Sequence, residues 1–240
     1  MTHQRYATQD IAQDRRTSLS SSHMNQAIEY SVCTARDTDE MARMLGETFS
    51  RREPPAVALG ITAGEFETFV QLLCPAAVAE GLTIVARRTD TGEMVGALLT
   101  EDSASAMPHG MDGLTSKFDP IFDILGQLDT EYRRGHSAQH GESMHLYLLG
   151  VAESATGHGV AKHLVAECLE TGARKGYRVA VTEATTKVSQ HVFGRLGFSE
   201  RVHRSYEQHR FNGRAVFASV SEHGGPILMD RHLEPSSEGR

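Results

Sequence analysis

The sequence predicts an α/β domain built on a mixed sheet. Three observations predict it. From Tyr30 onward strand-like and helix-like stretches alternate; the apolar run Met144 to Val151 passes through a glycine-containing loop directly into a helical pattern; and the last third ends in short strand-like runs. With 240 residues and 39% apolar composition, the chain is long enough to bury one core without disulfide or metal staples.

The elements follow in order. Residues 1–28 are rich in Ser, Gln and Arg and lack an apolar period, so they read as a flexible polar arm, with one domain over 29–233 and a flexible tail over 234–240. Tyr30-Ser-Val-Cys-Thr alternates as a strand. Asp37-Thr-Asp-Glu40 has the form of a capping box opening a helix with Met41, Met44, Leu45 and Phe49 on one face, ended by Pro54-Pro55. A second helix is expected over Ala63 to Leu73, stopped by Pro75. Leu82 to Arg87 and Met94 to Thr100 read as strands of a hairpin turning at Thr89-Asp-Thr-Gly92. Phe118 to Tyr132 carries helical periodicity. After the strand and glycine loop comes a helix to Lys175, closed by Gly176. A strand over Tyr177 to Thr182 and a helix over Ser189 to Leu196 follow, then strands near Val202 to Glu207, Ala215 to Val220 and Ile227 to Met229.

Composition excludes several classes. No apolar run approaches the roughly 18 residues that cross a bilayer, and no signal-like apolar stretch opens the chain, so a cytoplasmic protein without membrane contact is expected. Net charge is −7, which argues against a nucleic-acid partner. Three widely spaced cysteines suggest neither a disulfide framework nor a metal knuckle, and 13 histidines fall in no ligand pattern, so no metal is expected.

The loop Thr156-Gly-His-Gly159-Val-Ala161 lies between a strand and a helix. Converging backbone N–H groups and the positive end of a helix dipole bind anions, so a phosphate-bearing ligand is the physical inference. The loop is no Walker A, because Lys-Ser/Thr does not follow, and it lacks the third glycine of the dinucleotide fingerprint. Taken alone, such a glycine pair is equally a packing or turn device.

Leu149-Gly150-Val151, this loop and Gly197-Phe198 together resemble the GCN5-related N-acetyltransferase (GNAT) superfamily, whose loop reads Arg/Gln-x-x-Gly-x-Gly/Ala. Over about Tyr30 to Leu233 the similarity reaches the arylalkylamine N-acetyltransferases of the insect dopamine type. It is carried by Phe49 with Glu53-Pro54 against that subgroup's Phe…Asp-Glu-Pro-Leu, by Thr185-Thr-Lys-Val-Ser189, and by the tail Phe211 to Phe217 through His223 to Met229. The resemblance implies a mostly antiparallel central sheet splayed in the middle, with helices on both faces. It implies an acyl-CoA co-substrate held by Leu149, Gly150, Val151, Thr156, Gly157, His158, Gly159, Val160, Ala161 and Lys162, with the Val151 N–H facing the thioester oxygen. It further implies a small primary amine as acceptor; Phe118 and Phe122 are candidates for lining its pocket. Two departures bear on the chemistry: Thr156 replaces Arg or Gln, with no arginine between Val151 and Leu164, and Phe193 replaces a tyrosine that protonates the leaving thiolate in many members.

By the same resemblance Glu53 is the general base, acting through water because an unshifted carboxylate is a weak acceptor. Its plain reading is a solvated charge at a helix end. Thr185 and Ser189, four apart, share a face if helical and either could serve the thiolate or the amine; Thr185 also reads as an N-cap. His223 reads as a relay or as an ordinary strand-end histidine. Phe118 and Phe122 stand at helical spacing, where such residues are more often packing residues, and Cys168 reads as core. Two other functions fit: the same fold using an acyl-phosphopantetheine carrier protein as donor in natural-product biosynthesis, favoured by the arginine-poor loop, and a catalytically silent acyl-CoA-binding module, favoured by Phe193.

Overall fold

The computed structural model describes residues 27–136 and 139–234. Most of the expected arm and tail lies outside them. The elements are β1 (Ile28–Val32), α1 (Thr38–Arg52), α2 (Pro54–Ala58), α3 (Ala63–Glu80), β2 (Ile84–Arg88), β3 (Met94–Asp102), α4 (Asp119–Tyr132), β4 (Ser143–Val151), α5 (Val160–Arg174), β5 (Val179–Ala184), α6 (Lys187–Arg195), β6 (Ser199–His203) and β7 (Ile227–His232). The seven strands form one sheet in the order β1-β2-β3-β4-β5-β7-β6. Every neighbouring pair is antiparallel except β4 and β5, which run parallel.

Helices cover both faces. On one, α1 and α3 bury Leu45, Phe66 and Phe69 with Val85, Ala97 and Leu99 of the sheet. On the other, α5 buries Leu164, Val165 and Cys168 against Ile84, Val95, Leu98 and Met144. A smaller cluster joins Leu128 and Tyr132 of α4 to Val202 and Leu228. Cys168 is fully buried, 3.2 Å from the Thr100 hydroxyl, with its thiol pushed up to about 12 by burial, so it packs as core.

The parallel pair is the feature that shapes the molecule. Pairing between β4 and β5 runs only over Ser143↔Val179, Met144↔Ala180 and His145↔Val181, although β4 continues to Val151 and β5 to Ala184. Beyond His145 the strands part. On its other edge β4 stays paired to β3 through Val151↔Gly96, and Ala152 N–H bonds the Val95 carbonyl at 2.9 Å. Partners alternate along an antiparallel ladder, so Gly150 bonds toward β3 while the N–H and C=O groups of Leu149 and Val151 point into the gap.

Several boundaries differ from the sequence reading. The first strand starts at Ile28, inside the stretch read as arm, because Ile28 pairs with Arg88. The Asp37/Glu40 capping box does not form: Arg87 draws both carboxylates, with Asp37 also accepting from Thr34 and Glu40 from the Met94 N–H. α3 runs through Pro75 to Gly81, which adopts φ +60°. Its buried face continues past the proline with Ala77, and its start is held by a Thr62/Glu65 capping box, so packing outweighs the roughly 3 kcal/mol a mid-helix proline costs. The cap of α6 is Thr186, not Thr185, in a reciprocal box with Ser189. The strand expected over Ala215 to Val220 is absent; a 3₁₀ turn spans Ala218–His223, and Phe217 and Val220 are buried because both plug the core from a loop. Strand β6 ends at His203, after which the chain turns and Tyr206 N–H bonds the Gly224 carbonyl at 3.0 Å.

Candidate active site

Glu53 occupies the single residue between α1 and α2. Its N–H closes α1 on the Phe49 carbonyl at 3.0 Å, and its Oε2 accepts the Ala56 N–H at 2.7 Å as the N-cap of α2. Two prolines follow. Pro54 fits the first helical position and holds Glu53 extended (φ −83°, ψ 118°), which turns the side chain inward instead of along the surface. The residue is 9% exposed. Burial pushes its pKa up to about 7, against the opposing pull of the Ala56 N–H and the Thr185 hydroxyl. The solvated helix-end reading, and with it the unshifted carboxylate, is therefore overturned: among the described residues no cation pairs with Glu53, and apolar walls raise its basicity.

Glu53 opens onto a cavity of about 90 Å³ walled by Phe49, Phe66, Phe118 and Phe122 on the helix side and by Leu149, Thr185, Ser189 and Phe193 on the strand side. Phe118 and Phe122 stack at 5.9 Å, so they are packing residues that also face the cavity. Thr185 lies before α6 and not within it, yet it and Ser189 reach the same space because β5 enters α6 there. The Ser189 hydroxyl donates to the Thr186 carbonyl at 2.9 Å and accepts the Thr186 N–H at 3.1 Å. Tyr206, fully buried, donates to the Thr185 carbonyl at 3.1 Å, and burial beside Glu53 raises its pKa strongly. His223 does not join them. It ends the 3₁₀ turn, 3.7 Å from the Glu222 carboxylate, and is no part of the cavity wall.

A larger chamber of about 640 Å³ adjoins this one, sharing Phe122, Leu125, Tyr147 and Glu183 with it. Between them stands a buried charged group absent from the sequence reading. His145 Nε2 lies 2.6 Å from Glu183 and its Nδ1 3.4 Å from Glu101, and the ring stacks on Tyr147 at 4.8 Å. The two carboxylates outweigh burial and hold the imidazole up at about 10, while Glu183 is held below the usual carboxylate range by His145 against the cost of its own burial. The three residues come from β3, β4 and β5. The only signal in sequence was the alternation of His145 and Tyr147 with Leu146 and Leu148, which puts the polar pair on one face.

At the far end of the gap the loop after β4 leads into α5. Gly157 and Gly159 adopt φ +85° and +78°, a conformation that favours glycine. Among the described residues no acceptor takes the N–H groups of Gly157, His158, Gly159, Val160, Ala161 or Lys162, whereas Thr156 N–H bonds the Glu153 carbonyl at 3.1 Å. These unpaired amides at a helix start fit the phosphates of a coenzyme A thioester. His158 and Lys162 are exposed beside them. Among the described residues no group of three or more His, Cys, Asp or Glu side chains could hold a metal ion, and no helix is long and apolar enough to cross a membrane.

Comparison with known proteins agrees with this fold. The family model described as acetyltransferase (GNAT) matches residues 65–198. Among solved structures, the C-terminal condensation domain of Ebony in complex with beta-alanyl-dopamine superposes with a TM-score of 0.79 at 14% identity, covering 87% of this chain and 100% of that one. Arylalkylamine N-acetyltransferase 2 from Aedes aegypti gives 0.74 at 20% identity, covering 86% and 99%. A Drosophila melanogaster polyamine N-acetyltransferase that forms N-acetylagmatine gives 0.70 at 19% identity, covering 86% and 100%. At these identities the likeness is one of fold.

Proposed function

The chain belongs to the acetyltransferase (GNAT) family, and from that premise we propose that it moves an acyl group, acetyl by preference, from acyl-CoA to the primary amine of a small molecule. The observation that carries the reading is Glu53: a carboxylate with a pKa near 7, buried at the head of a cavity that reaches the gap between β4 and β5.

An amine with an ordinary pKa near 10 is almost wholly protonated at neutral pH and needs an acceptor beside it. Glu53 is that acceptor; with its raised pKa it takes the proton directly. Acyl-CoA supplies the activated thioester. The Val151 N–H, turned into the gap, donates to the carbonyl oxygen as charge builds there. Glu53 takes one proton from the ammonium, the freed nitrogen pair bonds to the carbonyl carbon, the carbon–sulfur bond breaks, and the second nitrogen proton passes by way of a facing hydroxyl to the departing thiolate. Leu149 and the backbone of Val151 align the pantetheine, and Gly157 to Lys162 receive the phosphates. Phe193 offers no proton for the thiolate. Ser189 and Thr185 are the hydroxyls facing it, Ser189 by releasing its bond to the Thr186 carbonyl. The aromatic wall of Phe118 and Phe122 takes the amine's carbon skeleton, and the chamber beyond Tyr147 takes what is too long for the smaller cavity. His223 is left outside this chemistry.

The test is a panel of aryl and aliphatic amines with acetyl-CoA, products read by mass spectrometry. Acylated amine is expected. Transfer from an acyl carrier protein alone would replace the donor, and donor binding with no turnover on any amine would leave a silent binding module. A pH series gives a second check. Only ionised Glu53 accepts a proton, so kcat/KM should rise with pH through a limb near 7, and that limb should vanish in Glu53→Gln.

A further inference from the structure

We propose that Arg52, the last residue of α1, supplies the cation of the phosphate loop and binds the diphosphate of the donor. The inference rests on the acyl-CoA reading above. The Arg52 Nη1 donates to the Thr156 hydroxyl at 3.2 Å, across 104 positions of sequence. That is its one side-chain bond among the described residues, and no carboxylate pairs with it. By contrast Arg87, Arg133 and Arg204 each hold an acid within 2.8 Å. A guanidinium carries five donors in a flat fork suited to phosphate oxygens, and a single hydroxyl leaves most of them unspent. Arg52 is anchored where those donors are of use, at the residue that immediately precedes the run of unpaired amides from Gly157 to Lys162.

Sequence and space agree here. Thr156 stands where the resembled pattern has Arg or Gln, and Arg52 stands where it has Asp before the glutamate. The two departures touch, so the positive charge is moved from the loop onto the helix end facing it. One helix terminus then serves both ends of the donor, Glu53 toward the reacting carbonyl and Arg52 toward the phosphates.

Calorimetry of CoA, 3′-dephospho-CoA and pantetheine binding to the full chain and to Arg52→Ala tests this without turnover. Arg52 is exposed, so the variant keeps its fold, which a matched thermal melt checks. Loss of one charge-assisted phosphate contact should weaken CoA about tenfold or more. The same loss with 3′-dephospho-CoA, and none with pantetheine, places the contact on the diphosphate. Arg52→Ala combined with Thr156→Arg should recover CoA affinity. Equal CoA affinity in parent and Arg52→Ala overturns the proposal while leaving the donor intact, and equal losses for pantetheine and CoA reduce Arg52 to a loop brace and overturn it too. A parent chain that binds no CoA overturns the donor reading and this assignment with it.

Discussion

Glu53→Gln should lower kcat/KM by about 10²- to 10⁴-fold, the range that a positioned general base contributes. Glutamine keeps an oxygen for the Ala56 N–H, so α2 retains its cap and the cavity its shape. Stability should move the other way. A carboxyl whose pKa is near 7 folded and 4.5 unfolded leaves the folded chain holding the extra proton between those values. Its burial therefore costs nothing below about pH 4.5, costs increasingly from there to about 7, and stays at that full cost above it. Removing the charge should thus raise stability at pH 8 by about 3 kcal/mol, an order-of-magnitude figure from the size of the shift. Steady-state kinetics and urea unfolding of the same two proteins check both signs. A variant that is less stable and fully active would return Glu53 to the role of a plain helix cap.

Glu183→Ala should destabilise the fold by about 3 kcal/mol, since removing one partner of a buried ion pair strands the other. His145 would keep only Glu101, at 3.4 Å instead of the 2.6 Å contact it loses. The pH window follows from the two shifts. His145 is raised to about 10, so its contribution is complete below its ordinary 6.5 and is lost as pH climbs through 10. Glu183 is lowered, so its contribution is complete above its ordinary 4.5 and is lost as pH falls through the depressed value. Parent and variant should differ most between about pH 4.5 and 6.5 and converge above 10. Urea midpoints at pH 4, 7 and 10 measure this, and a pH-independent difference would show that the pair is not ionised. Because Glu183 and Tyr147 border both cavities, the variant should also alter the choice among long amines.

Local patterns carried much of this far. The Glu53-Pro-Pro sequence told where α1 ends, since two prolines leave few conformations there, and the strand, glycine loop and helix after Met144 were readable because their signals lie within twenty residues. Boundaries failed where distant partners competed. Arg87 took the carboxylates that would have capped α1, the buried face of α3 carried it through Pro75, and the apolar run Ala215 to Val220 read as a strand although its Phe217 and Val220 anchor a loop. His223 matched a pattern by position and stands elsewhere in space.

From its order of residues alone the chain determined its fold class and the glycine turn between β4 and α5, because periodicity, proline and glycine act over a few neighbouring peptide units; Glu53 stood out only through the family resemblance. The folded structure alone decided that this carboxylate has a pKa near 7, that His145 is charged between two acids from other strands, and that Arg52 meets Thr156. Desolvation and Coulomb attraction depend on distance through space, and groups far apart along the chain become neighbours only once the sheet and helices have packed.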